Sequence, residues 1–274
     1  MGAIAVFSIL ICSLVSHTGS PLSLDSQNEA CSKVNFTICM NAEATLQNIR
    51  GTVLNRVNTY TGVAYMDDPT IFSWELINEP RCESDLSGKT FQYWVTEMAA
   101  YVKSIDRNHM LEIGLEGFYG LSDKQHNPNG YIFGTDFVTN NQMSEIDFTT
   151  IHAYADQWLQ NLSDEEQLSF SRNWTNTHIQ FSQKVLKKPL VLGEFGKSWK
   201  DKGYSTSKRD AVFTVFYDIV DAFVTRGGPL SGALFWQLLV QGMDNLRDGY
   251  EVVLAESPST ANIIFQQSKK LSAL

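Results

Sequence analysis

Two glutamates occupy the same position in two similar stretches of this chain, and both sit where a carboxylate could do chemistry. In FSWELINEP, residues 72–80, an apolar run ends at Asn78 and Glu79. Pro80, which lacks an N–H and fixes its own φ, then opens a turn. In KPLVLGEFG, residues 188–196, a short apolar run ends at Gly193, Glu194 follows directly, and Gly196 breaks the pattern. Two carboxylates flanking a sugar can divide the cleavage of a glycosidic bond, one protonating the leaving oxygen and the other attacking the anomeric carbon. A retaining route needs them roughly 5 to 5.5 Å apart, with the acid protonated and the nucleophile ionised at working pH.

Something must bring such residues together. Apolar, β-rich runs bounded by Asn, Gly or polar clusters also occur at 109–117, 146–154 and 232–239, which makes five expected strands. Between them lie helical patterns at 90–105 (apolar Phe91, Trp94, Val95, Met98 and Val102), 170–186 and 207–224, with a further one at 45–60 ahead of the first strand. Alternating strands and helices predict an α/β fold with a parallel sheet. In a parallel α/β barrel the C-terminal strand ends share one face. That face would collect Asn78, Glu79, Glu116, His152, Tyr154, Glu194, Trp236 and Gln237. His152 and Tyr154, two apart on one strand, point to the same side and could hydrogen-bond a nucleophile or sugar hydroxyls. A Trp ring offers a flat platform for a pyranose face.

The blocks WELINEPRC, MLEIGLEGFYG, IHAYADQW, LVLGEFG and LFWQL, in this order and spacing, resemble the plant endo-β-1,4-mannanases of glycoside hydrolase family 5. The likeness runs from about residue 45 to 274 and includes TVLNRVNTYTGVAYMDDPTIF and DGYEVVL. Asn-Glu-Pro alone is shared with cellulases, whereas the longer blocks favour mannanase. The resemblance implies a (β/α)8 TIM-barrel type of fold and retaining endo-hydrolysis of β-1,4-mannosidic bonds, in mannans, galactomannans or glucomannans. It makes Glu79 the acid/base and Glu194 the nucleophile. Asn78 would bind the 2-hydroxyl, His152 and Tyr154 would orient the nucleophile and glycone, and Trp236 would be the sugar platform. Trp158 and Glu116 are carried over as further substrate-binding residues. The chemistry needs no cofactor, and no metal-ligand spacing or Gly-rich phosphate loop occurs in the sequence.

The start of the chain departs from that pattern. Residues 1–20 open on an apolar stretch too short for a confident membrane span and similar to a signal peptide's core, so secretion to an extracellular or cell-wall location is expected. Residues 21–44 are polar and irregular and match no family strand. The arginine that the family's second strand brings and the Asn/Trp-bearing segment at its third have no counterpart there. Residues 45–274 are therefore expected to form an incomplete barrel domain, with about five of eight βα units. The rival functional readings are an inactive or merely mannan-binding remnant of the family, and another β-1,4-glycan hydrolase such as a cellulase.

Composition is compatible with this. Hydrophobic residues make up 43% of the chain, enough for a sizeable core, and a formal net charge of -9 argues against nucleic acid as a partner. A neutral polysaccharide asks for aromatics more than for charge, and six Trp are present. Of the four cysteines, Cys12, Cys31, Cys39 and Cys82, three remain if the apolar start is removed, which leaves one disulfide and one thiol; Cys31 and Cys39 are the nearest pair. Asn35, Asn161 and Asn173 begin N-glycosylation sequons, relevant only on a secretory route.

Overall fold

The computed structural model describes residues 7–10 and 51–273. They fall into two compact units, one holding Tyr131–Thr149 and the chain up to Asn127, the other holding Pro128–Gly130 and the chain from Thr150 onward. Residues 11–44, with the irregular segment, three of the four cysteines and Asn35, lie outside the described residues, as does most of 1–20. Within the apolar start, Phe7–Leu10 is a strand, β1.

In the first unit β1 pairs in parallel with β2 (Ile71–Glu75), Ser8 opposite Ser73. Helix α1 (Lys89–Ile105) follows, and β3 (Met110–Glu112) returns parallel to β2, with Trp74 opposite Leu111. The α1 residues Phe91, Trp94, Val95, Met98, Ala99 and Val102 are all buried, one stripe at helical spacing. They pack in one cluster with Trp74, Leu76, Ile77, Leu111 and Ile113 of the strand segments. The Asp85 carboxylate accepts from both the backbone N–H and the hydroxyl of Thr90, occupying a donor that the first turn of α1 leaves open. At the other end of α1 a buried polar knot ties the elements together. Asp106 Oδ2 accepts from Trp74 Nε1 and from His109 Nδ1, both at 2.6 Å. A short helix, α2 (Phe137–Asn141), capped by the Asp136 side chain, completes this unit.

In the second unit β4 (Thr149–Ala153), which starts at the last residue of the first, leads through α3 (Ala155–Trp158) to α4 (Asp164–Phe181). A π turn, Ser182–Leu186, closes that helix. Next come β5 (Leu190–Phe195), α5 (Thr206–Val224) and β6 (Leu230–Ala233). Two short parallel strands, β7 (Leu238–Leu239) and β8 (Val252–Val253), and helix α6 (Pro258–Leu271) end the chain. The sheet order is β4-β5-β6, with β5 and β6 parallel. Phe195 anchors β5 on α5, its ring 5.0 Å from Phe213 and 4.8 Å from Phe216.

Three expectations need correction. The helix expected over 45–60 is helical only to residue 54 within the described part. The Asn58 side chain accepts from Tyr60 N, Asn58 N–H donates to Val63 O, and Gly62 takes φ 71°, so a turn replaces the helix. The helix expected from 170 starts at Asp164, because Ser163 and Glu166 form a reciprocal capping box. The run 232–239 is not one strand but β6 and β7, separated by 234–237. Helices α2, α3 and α6 and the strands β1 and β8 are additional to the expected elements.

Candidate active site

The first unit contributes Asn78 and Glu79, both half-buried. Past the end of β2 the ladder continues irregularly: Leu76 N donates to Glu112 O, Ile77 N to Ile113 O, and Glu79 N to Gly114 O at 2.8 Å. Gly114 permits this approach, since it takes φ 90° and a Cβ there would lie 2.0 Å from Ile77 O. Glu79 itself takes φ 47°, the left-handed region that a glutamate enters only at a cost of about 1–3 kcal/mol. The corner therefore spends backbone strain to aim one carboxylate.

Beside it lies a second acid. Glu116 is buried and receives a bidentate pair from Arg81, Nε to Oε2 at 2.8 Å and Nη2 to Oε1 at 2.7 Å. The guanidinium also lies over the Phe133 ring at 4.4 Å. Burial alone would lower the Arg81 pKa, but the Glu116 bonds and the charges of Glu116, Glu79 and Glu83 raise it. Toward Arg81, Glu116 thus acts as a counter-ion, and Arg81, which the sequence reading passed over, is the cation held next to Glu79.

In the second unit Glu194 stands near the end of β5, its side chain 16% exposed. The Tyr154 hydroxyl donates to Glu194 Oε2 at 2.5 Å, and His152 Nδ1 lies 3.7 Å from the same oxygen. His152 lies on β4 and Tyr154 directly follows its end, and both approach the same Glu194 oxygen. The His152 backbone carbonyl accepts from Trp174 Nε1 at 2.9 Å, which pins β4 to α4.

Trp236 is 39% exposed, and its indole N–H donates to Asp248. This bond tethers the indole of a residue that stays exposed. Trp158 has a different setting: its ring packs edge-on against Trp174 at 5.4 Å and against Phe170 at 6.4 Å. The sequence reading missed Trp199, 46% exposed, whose N–H donates to Glu251 Oε1 at 2.7 Å, and Tyr250, stacked edge-on to Tyr154 at 5.0 Å. The block DGYEVVL carried both Tyr250 and Glu251, yet nothing in its local pattern marks them as neighbours of β4 and β5 residues.

Parallel α/β units that carry carboxylates at or just past strand ends are what a barrel-type glycoside hydrolase would show. The family described as GH family 5 beta-mannosidase-like matches residues 11–245, and the chain belongs to it. Among curated relatives, the chain is 59% identical over 227 residues to mannan endo-1,4-beta-mannosidase 1 of Oryza sativa subsp. japonica, covering 81% of this chain and 52% of that protein. It is 61% identical over 222 residues to mannan endo-1,4-beta-mannosidase 4 of Solanum lycopersicum, covering 81% and 55% respectively. The chain thus spans about half the length of these relatives. Among solved structures, the endo-beta-1,4-mannanase from Thermotoga petrophila superposes with a TM-score of 0.71 at 30% identity, over 85% of this chain and 51% of that one. The endo-1,4-beta-mannanase from Rhizomucor miehei gives 0.73 at 28% identity, over 90% and 68%. The expected family and the α/β, (β/α)8-barrel fold class are borne out.

Proposed function

We propose that this chain hydrolyses internal β-1,4-mannosidic bonds by a retaining two-glutamate mechanism, Glu194 acting as nucleophile and Glu79 as acid/base. The observation that carries this is the Tyr154–Glu194 bond. A phenol donating to a carboxylate oxygen favours the ionised form that attack requires. In the first step Glu194 forms the glycosyl ester while Glu79 gives its proton to the departing oxygen. In the second Glu79 takes a proton from water, which displaces Glu194. The Arg81–Glu116 pair supports the role of Glu79, because the guanidinium neutralises a buried acid that would otherwise load the same corner with a second negative charge. Asn78 is the expected partner of the 2-hydroxyl and Trp236 the expected platform. The mannanases named above favour mannan over cellulose as substrate.

Secretion to the cell wall is the location we infer. Supporting it are a disulfide at Cys82, a bond that persists in oxidising compartments, and the exposure of the sequon residues Asn161 and Asn173. Among the described residues no helix is long and apolar enough to cross a membrane.

The test is reducing-end release from soluble β-mannan and, in parallel, from cellulose oligomers, beside a Glu194→Gln chain purified identically. Release from mannan that disappears in the variant is expected. Equal background from both chains would reject the hydrolase reading in favour of a non-catalytic family member, and preferential release from cellulose would reject the substrate.

A further inference from the structure

We infer that Tyr250 and Asp156 are positioning residues for the nucleophile, acting through Tyr154. This deepens the proposed function and rests on Glu194 being the nucleophile. Four side chains form a line within the second unit. Glu194 Oε2 accepts from the Tyr154 hydroxyl. The Tyr154 ring meets the Tyr250 ring edge-on, centroids 5.0 Å apart at 71°. The Tyr250 hydroxyl donates to Asp156 Oδ2 at 3.0 Å. That same Oδ2 accepts from Ser198 N at 2.9 Å, four residues past Glu194, so Asp156 joins the loop after β5 to the loop before β8.

Two further observations indicate that the line is built for position and not for bulk stability. Asp156 is buried, and among the described residues its other oxygen, Oδ1, has no hydrogen-bond partner. A buried carboxylate half satisfied in this way is costly, and an apolar side chain would fill the space more cheaply. It supplies an acceptor for Tyr250 and Ser198, besides a negative charge toward buried Lys197, and an apolar residue could supply neither. The second is Gly196: a Cβ there would lie 2.7 Å from Tyr250 Cδ1, so the chain two residues past Glu194 gives up a side chain to let the Tyr250 ring come close. Tyr154 has two rotatable side-chain bonds, and its hydroxyl reaches Glu194 only while the ring is held at one angle. The Tyr250 ring supplies one wall, and Asp156 fixes that wall.

The test is a carboxyl ¹³C NMR titration of Glu194 in the full chain, compared across Tyr154→Phe, Tyr250→Phe, Asp156→Ala and Asp156→Asn. Removing the donor by Tyr154→Phe is expected to move the Glu194 midpoint upward, because an ionised carboxylate loses a hydrogen bond. Tyr250→Phe and Asp156→Ala should move it the same way by less. Asp156→Asn should restore it, since an amide oxygen can accept the same two bonds. If the chain releases reducing ends, Tyr250→Phe should lower kcat about tenfold with KM unchanged, the effect of misaligning one hydrogen bond. A Tyr250→Phe titration superimposed on the unaltered chain, or an Asp156→Asn chain displaced as far as Asp156→Ala, would overturn the inference even if the protein only loses thermal stability. Absence of hydrolysis would sink the functional reading alone, because the titration reports the alignment without turnover.

Discussion

The two units hold their glutamates by different means. Glu79 is placed by backbone: a left-handed φ of 47°, a ladder bond to Gly114 O, and a Pro that ends the run. Glu194 is placed by side chains: Tyr154 on one oxygen, His152 near the same oxygen, and Tyr250 behind them. The side-chain contacts bear on the role proposed for Glu194. A nucleophile must stay ionised, which a fixed donor favours.

The same contrast runs through two buried aspartates. Burial pushes the Asp106 carboxyl up, but the bonds from Trp74, His109 and the backbone N–H groups of His109 and Asn108 outweigh it, and its pKa is lowered. For Asp156 burial wins over the bonds from Ser198 and Tyr250, and its pKa is raised. One is a structural knot and the other a half-satisfied support.

Three substitutions and one pH comparison would break or sharpen this comparison. Glu79→Gln keeps the shape and removes the proton, so mannan turnover should fall by a factor on the order of 10² to 10⁴ in steady-state kinetics. Asp106→Ala deserts Trp74 Nε1 and His109 together, and should cost the first unit about 3 kcal/mol in denaturant unfolding while the Glu194 titration stays unmoved. Glu79→Asn should stabilise by about 1 kcal/mol while abolishing turnover, because Asn enters the left-handed region more readily; a loss of stability would show that the corner is not strained.

The smallest effect is in pH, and its sign differs between the units. Asp106 titrates lower folded than unfolded, so its contribution is present above its unfolded value, near 3.9, and is lost as pH falls through the lower folded value. Asp156 titrates higher folded than unfolded. Its contribution is fullest below about pH 3.9 and declines as pH rises through the folded value. Melting temperatures from pH 3 to 7 should therefore show Asp156→Asn gaining on the unaltered chain as pH rises, whereas Asp106→Asn should lose ground over the acid end of that range.

Much of this was legible in the sequence where a local signal existed. The apolar runs located β2, β3, β4 and β5 to within a few residues, and helical spacing located α1 and α5 almost to their ends. Other local signals were present and unread: Ser163-Asp164-Glu165-Glu166 is a capping-box pattern that starts α4, and Ser257-Pro258 marks the first turn of α6. Asn58 and Gly62 likewise announce the turn that follows the helical residues 51–54. What no local pattern carries is partnership at long range. The Arg81–Glu116 pair spans 35 residues and the Tyr250–Asp156 bond spans 94, and only folding decides which donor meets which acceptor.

The central claim is that Glu194 becomes covalently bonded to sugar. It is tested most directly by incubating the chain with an activated 2-deoxy-2-fluoro-β-mannoside, which slows the second step, and mapping the label by mass spectrometry. A single fluoromannosyl group on the peptide that contains Glu194, absent from the Glu194→Gln chain, is the result predicted here. Label on another residue, or none on a chain that still releases reducing ends from mannan, would contradict the two-glutamate retaining mechanism.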